Sequence, residues 1–338
     1  MNVSVVIPVF NASPFIERAV NSAIAHPEVN QIILVEDGST DNSLEICQRL
    51  TALHPCVELH RHPGGANCGA GASRNIGIDH VLQEYTCFLD ADDRFTSIRF
   101  LNERAVFAQH PDADGVYGAT GTVYHDAIGA AAWEKSGLDE NTLTTVRKPV
   151  PPEALFEYLI DYRPSIHSPG HIHLDALTVK TQALRKFNLR FAEHLVLHQD
   201  TAFIWQCAYY LRLYPGKIDC AVAQYILHQQ SRFVNHTDLS ASRTIFFSYL
   251  VRWAKQDGLA KKYLLHFKRL YCRAHKANCS SWQRLRLTLG LLKINPGSFQ
   301  FFLYGWVVDN IPWLVRLKAS CDKRFGFAPR NAAHDKIN

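Results

Sequence analysis

Two apolar runs near the N-terminus constrain this chain more than any other feature. Val3–Val9 is a continuous, largely β-branched run closed by Pro8 and Asn11, and residues 31–35 form a second. A strand that is apolar at every position, not at alternate ones, is buried on both faces, as in a parallel sheet covered by helices. After the first run, Phe15, Ile16, Ala19, Val20, Ala23 and Ile24 recur at helical spacing; after the second, Leu44, Ile46, Leu50 and Leu53 do the same. Ser13 is predicted as the N-cap of the first helix, with Pro14 at its first position. Residues 57–60 and 85–89 read as further strands, with a helix over 71–82 between them. Strand alternating with helix predicts an α/β fold. Ligands of such sheets gather beyond the carboxyl ends of the strands, where Asn11, Asp37 and residues 90–93 converge.

The fourth strand breaks into Asp90-Ala91-Asp92-Asp93, three carboxylates within four positions. Oxygen ligands so placed suit Mg2+ or Mn2+ with coordination positions left for substrate phosphates. The competing reading is a helix N-cap at Asp93 and a solvated turn. The loop over 62–71 is rich in glycine and leads into a helix carrying Ser73-Arg74-Asn75, an arrangement that lets backbone N–H groups approach an anion. It is neither a G-x-x-x-x-G-K-[ST] loop nor a dinucleotide fingerprint, and a plain turn fits it locally as well. Further on, a helix is expected over 97–109, strands over 115–117 and 121–124, and a short helix over 153–160. Residues 171–179 alternate as a strand that would put His171 and His173 on one face, a structural pair more readily than a metal pair. Asp200 opens a helix as N-cap or serves as a base, and a strand over 221–227 delivers His228, Ser231 and Arg232 into a polar loop.

With 338 residues, 47% hydrophobic and 20% charged, the composition is that of ordinary globular protein. The first apolar run is too short for a signal sequence or a membrane span, so a cytoplasmic location is expected. Nine cysteines without C-x-x-C spacing predict free, mostly buried thiols. Charge is lopsided: residues 1–240 hold 18 basic and 27 acidic side chains, net −9, and residues 241–338 hold 18 and 4, net +14. An acidic body is compatible with a metal-dependent site, and a basic tail points to phosphate-rich surfaces.

Taken in order, four motifs resemble the family 2 glycosyltransferases, an inverting group with the GT-A fold. Val5-Val6-Ile7-Pro8-Val9-Phe10-Asn11 is similar to the family's opening strand, and Val35-Glu36-Asp37-Gly38-Ser39-Thr40-Asp41 to its uridine-binding turn. Gly71-Ala72-Ser73-Arg74-Asn75-Ile76-Gly77 is similar to its A-R-N-x-G helix, Asp90-Ala91-Asp92-Asp93 to its D-x-D motif, and Gln199-Asp200 stands where Glu-Asp is common. The resemblance implies a mixed sheet flanked by helices over 1–240, with a nucleotide-sugar part to about residue 125, an acceptor part from 126, and a helical C-terminal extension over 241–338. It implies a UDP-linked donor contacted by Pro8, Phe10, Asn11, Glu36, Asp37, Gly71, Arg74, Asp90, Ala91 and Arg232. Mn2+ or Mg2+ would be held by Asp92 with Asp90, Asp93 and His228, and Asp200 would be the catalytic base. Glu36 and Gln199 depart from the usual residues, leaving Asp37 as the expected uracil contact.

Beyond residue 241 the aromatics concentrate beside cations, notably Phe299, Phe301, Phe302, Tyr304, Trp306 and Trp313 near Arg284, Arg286, Arg316 and Lys318. That pattern suits attachment at the inner face of the cytoplasmic membrane, with a glycan or lipid-linked acceptor in lipopolysaccharide, O-antigen or capsule synthesis. The alternatives are a nucleotidyltransferase, whose glycine-rich loop should follow the first strand; a nucleic-acid binder, for which no recognisable motif is present; and a non-catalytic sugar-nucleotide binder. No nucleic-acid partner is expected.

Overall fold

The computed structural model describes residues 1–135, 142–162, 170–231 and 239–275, together with residues 280, 282, 286 and 289. The described residues fall into two units, one up to Phe246 and one from Phe247 onward.

In the first unit, β1 (Val3–Val9), α1 (Ile16–Ile24), β2 (Val29–Glu36), α2 (Ser43–Leu53), β3 (Val57–Arg61), α3 (Ala70–His80) and β4 (Tyr85–Phe88) succeed one another. Every residue of β1 is buried. β1 lies between β2 and β4, parallel to both, which is why its sequence carries no polar face. Each fully buried Val or Ile there contributes about 1.5–3 kcal/mol relative to exposure. The helix α1 begins two residues later than Pro14 suggests: Phe15 occupies its N-cap without a side-chain cap bond. Ser13 instead gives its N–H to Asp41 Oδ2 at 3.1 Å, because the loop after β1 is tied to the loop after β2.

The chain continues through β5 (Arg94–Phe95), α4 (Glu103–Gln109), β6 (Gly115–Tyr117), β7 (Ala119–Tyr124), α5 (Ala127–Lys135), α6 (Pro152–Leu159), β8 (Leu177–Lys180), α7 (Thr181–Lys186), α8 (Gln199–Tyr210), β9 (Leu213–Pro215) and β10 (Ala221–Leu227). The main sheet has the order β3-β2-β1-β4-β8-β6-β9, in which β8 runs antiparallel to β4 and β6 and makes the sheet mixed. A second sheet, β5-β10-β7, packs three short strands.

Two expectations are corrected here. The helix over 97–109 begins only at Glu103, because Arg99, fully buried, sends its guanidinium to the carbonyls of Asp175 and Leu177 as well as to Glu103. The strand over 171–179 begins only at Leu177; a 3-10 turn, Leu174–Ala176, precedes it. The polar position in that alternation, Asp175, faces the interior: it is 0% exposed and accepts the Asp90 N–H at 3.2 Å. His171 and His173 therefore share no strand face.

The division between the units falls within the helix α9 (Leu239–Gln256). In the second unit, α10 (Lys261–Ala274) brings the Phe267 ring to 6.2 Å from that of Trp253, whose indole donates to Asp257. No helix among the described residues is long and apolar enough to cross a membrane. The aromatic segments beyond residue 290 lie outside the described residues. The seven cysteines that the structure describes are all free, and Cys68 alone of them is exposed.

Candidate active site

The parallel strands deliver their carboxyl ends to one edge, and the loops there are bound to one another before any ligand arrives. Asn11 takes the left-handed conformation at φ 48°, which asparagine tolerates better than most residues, and its Oδ1 accepts the Thr40 N–H at 2.8 Å. Phe10, at the tip of β1, is 48% exposed. Pro8 and Ala91 are buried, Pro8 within the β1 ladder and Ala91 in the core.

Glu36 and Asp37 are likewise inward. Glu36 accepts from the Ser39 N–H at 2.5 Å and from Arg61 at 2.8 Å. Asp37, 3% exposed, accepts the Cys68 N–H at 2.7 Å and the Gly69 N–H at 3.0 Å, with His62 Nε2 at 3.4 Å. The Asp37 carboxylate thus anchors the glycine-rich loop to β2. Gly69, at φ 90°, has a backbone that L side chains rarely adopt. Gly71 has another use: a Cβ there would meet Gln199 Oε1 at 2.2 Å, so it admits the first turn of α8.

Arg74 is buried on α3, donates to Asp90 Oδ1 and lies over the Phe191 ring, 5.3 Å from its centroid. Burial by itself would lower its pKa, but Asp90, with Asp200 and Asp175 beyond, raises it. Its neighbour Asn75 clamps residues 191–193, accepting the Phe191 N–H at 2.8 Å and donating to Phe191 O and to Glu193.

The three carboxylates after β4 place donor oxygens within 4.8 Å of one another. Antiparallel pairing of Arg94 with Gln224 and of Phe95 with Ala223 draws the end of β10 against them. Consequently His228 Nε2 sits 3.1 Å from Asp92 Oδ2. His228 Nδ1 accepts the Gln230 N–H at 3.2 Å, so in this arrangement Nε2 is the nitrogen that carries the proton donated to Asp92. The Asp92 carbonyl accepts from Arg18 at 3.1 Å. Asp90 and Asp92 side chains remain 26% and 31% exposed, whereas Asp93 is fully buried and accepts the Ile226 N–H at 2.8 Å, which excludes a helix N-cap there. Burial first, then Asp175 and Asp92, pushes the Asp93 carboxyl well above the usual range.

Asp200 lies in the first turn of α8, after His198 at φ 64°. It is partly exposed, and its Oδ1 accepts the N–H of Thr201 at 2.7 Å. Its charge acts on Arg74, which binds Asp90, and on His171 and His173. His173 is raised to about 9: burial opposes the charge, but Asp175 outweighs it. Arg232 falls outside the described residues. Arg18 and Asp175 were not expected in this neighbourhood, Asn75 was named only as part of its motif and His173 only as one of a histidine pair; the spacing His171-x-His173-x-Asp175 is the signal that could have marked the last acid.

This site fits a divalent cation on the chemistry of its donors: hard carboxylate oxygens on Asp90 and Asp92, beside an imidazole, at an open edge.

Residues 4–131 match the family model described as Glycosyl transferase family 2. An uncharacterized glycosyltransferase of Haemophilus influenzae is 36% identical over 92 residues, covering 27% of this chain and 36% of that protein. The glycosyltransferase GlyG of Streptococcus pneumoniae serotype 4 is 36% identical over 120 residues, 34% of this chain and 38% of that protein. The match therefore spans little more than a third of these relatives' own length. Among solved structures, residues 1–349 of Staphylococcus aureus TarS in complex with UDP-GlcNAc share the fold at a TM-score of 0.57 and 15% identity, over 91% of this chain and 81% of that one. The segment that matches the glycosyltransferase family 2 model is the one that builds β1 to β7, and with it the carboxylate edge.

Proposed function

We propose that the chain is a metal-dependent inverting glycosyltransferase that moves a sugar from a UDP-linked donor to a hydroxyl of a glycan or lipid-linked acceptor in cell-surface polysaccharide assembly, acting at the inner face of the cytoplasmic membrane. The observation that carries this reading is the meeting of Asp92 and His228, 136 positions apart, at 3.1 Å beside the partly exposed Asp90. A UDP-sugar in the same fold of TarS supports the donor class.

Asp92, with Asp90 and His228, would hold Mn2+ or Mg2+; bound there, the cation supplies a Lewis acid for charge developing on the departing diphosphate. To become a ligand, His228 Nε2 must first give up the proton it now shares with Asp92. Arg74 fixes Asp90 from below and adds positive potential. Phe10 offers the nucleoside an exposed aromatic face, and Asn11 shapes the loop beside it. Asp37 and Glu36 act through the loops they hold. Asp200 accepts the proton of the acceptor hydroxyl as its oxygen attacks the anomeric carbon; the bond to the diphosphate breaks on the opposite face, and configuration inverts. No protein nucleophile is required.

The test is UDP release from a panel of UDP-sugars with Mn2+ or EDTA, in the presence of a detergent-solubilised bacterial lipid extract. One donor should give metal- and acceptor-dependent release, and Asp200→Asn should lower it on the order of a hundredfold to ten-thousandfold. Turnover by Asp200→Asn near the wild-type rate would sink the assigned role.

A further inference from the structure

Behind the exposed carboxylates lies a second group of donors that the proposed transfer does not use. Asp93, His173 and Asp175 place ligand atoms within 4.8 Å of one another. They come from separate elements: Asp93 from the turn between β4 and β5, Asp175 from the 3-10 turn before β8 and His173 from the cap of that turn. Asp93 and Asp175 are both 0% exposed. Each carboxylate has one oxygen satisfied, Asp93 Oδ1 by the Ile226 N–H at 2.8 Å and Asp175 Oδ1 by the Asp90 N–H at 3.2 Å. The Oδ2 of each is buried without a hydrogen-bond partner. His173 Nδ1 stands 3.4 Å from Asp175 Oδ2.

Buried carboxylate oxygens without partners are rare in folded proteins and demand positive charge or a proton. The nearby guanidinium groups are committed elsewhere, Arg99 to Glu103 and to the Asp175 carbonyl, and Arg74 to Asp90, which leaves the His173 imidazole, 3.4 Å from Asp175 Oδ2, as the positive group set against two buried carboxylates. We propose that Asp93, His173 and Asp175 form a second divalent-cation site, distinct from the donor's cation at Asp90 and Asp92. One imidazole with two carboxylates suits Zn2+ or Mn2+ better than Mg2+ or Ca2+, which favour oxygen-only shells. A cation here neutralises both buried carboxylates. It also stiffens the loop that presents Asp92, since Asp175 holds the Asp90 N–H and the Asp93 N–H is held by the Asp90 carbonyl at 3.0 Å.

The experiment counts ions on the full chain. Protein stripped with EDTA is equilibrated with Mn2+ or Zn2+ alone, without nucleotide, and bound metal per chain is measured by atomic emission. Wild type should hold two ions. His173→Gln and Asp175→Asn should each hold one, as should Asp92→Asn; the double variant Asp92→Asn/His173→Gln should hold none. Because the His173 side chain is 19% exposed, its variant keeps the fold testable where Asp175→Asn does not, with circular dichroism as the check. In Asp92→Asn, Zn2+ or Mn2+ should still raise the melting temperature, and adding His173→Gln should remove that rise. Metal content unchanged by His173→Gln would overturn the site and leave protons as the compensating charge. A single ion lost in Asp92→Asn alone would overturn it while leaving the donor's cation intact; a single ion lost in His173→Gln alone would support it and remove the donor's cation.

Discussion

At the level of single residues, the carboxylates of this edge divide by what they face. Asp90 and Asp92 stay partly exposed beside Arg74 and His228, while Glu36, Asp37 and Asp41 turn inward to backbone N–H groups and neighbouring side chains, and Asp93 and Asp175 are fully buried with one oxygen each on a backbone N–H. Asp41 shows the consequence most simply. Burial works to raise its pKa, but hydrogen bonds from Ser43 and Ser13 hold it below the ordinary carboxylate value. A carboxyl lowered in the folded state lends stability above its unfolded pKa and loses it as pH falls through the folded one. The melting temperature of Asp41→Asn should therefore lie below wild type at pH 7, and the gap should close on acidification through the carboxylate range; a gap constant down to pH 3 would contradict the assignment. The residues that carry these roles differ in legibility. Asp90, Asp92 and Asp200 could be named because three acids in four positions and an acid at a helix mouth are local patterns. Asp175 could not, because its partner Asp90 N–H lies 85 positions away and its own surroundings alternate like a strand.

At the level of elements, the strands were legible wherever burial is two-sided, since β1 and the stretch 32–35 of β2 are buried without a break. Their ends were less so. Where α1 starts depends on Asp41 capturing the Ser13 N–H, and where α4 starts depends on buried Arg99, both tertiary contacts that no local propensity encodes. Packing of α3 on β1 has the same character. A Cβ on Gly77 would stand 2.2 Å from Val6 Cγ1 and 3.0 Å from its Cγ2, and a β-branched side chain between two strands has little freedom to move away. Gly77→Ala should thus lower the stability of the fold by about 1–3 kcal/mol in denaturant unfolding. A neutral or stabilising result would mean that α3 can lift from β1, and with it Arg74 and Asn75.

At the level of the whole molecule, the uneven charge, −9 before residue 241 and +14 from there on, separates an acidic body from a basic tail rich in aromatics. The proposed membrane attachment predicts that the full chain sediments with vesicles containing anionic lipid, much less with neutral ones, and is released as salt shortens the screening length. Equal binding to both vesicle types would point to purely apolar contact. The central claim is narrower: the carboxylates at Asp90 and Asp92, with His228, bind the donor's diphosphate through a divalent cation. Calorimetric titration of UDP with and without Mn2+, in wild type and in Asp92→Asn, tests it most directly. The account predicts at least about tenfold tighter binding with Mn2+ in wild type, a difference of about 1.4 kcal/mol, and no gain in Asp92→Asn. Equal UDP affinity in Mn2+ and in EDTA, or a gain retained by Asp92→Asn, would contradict it.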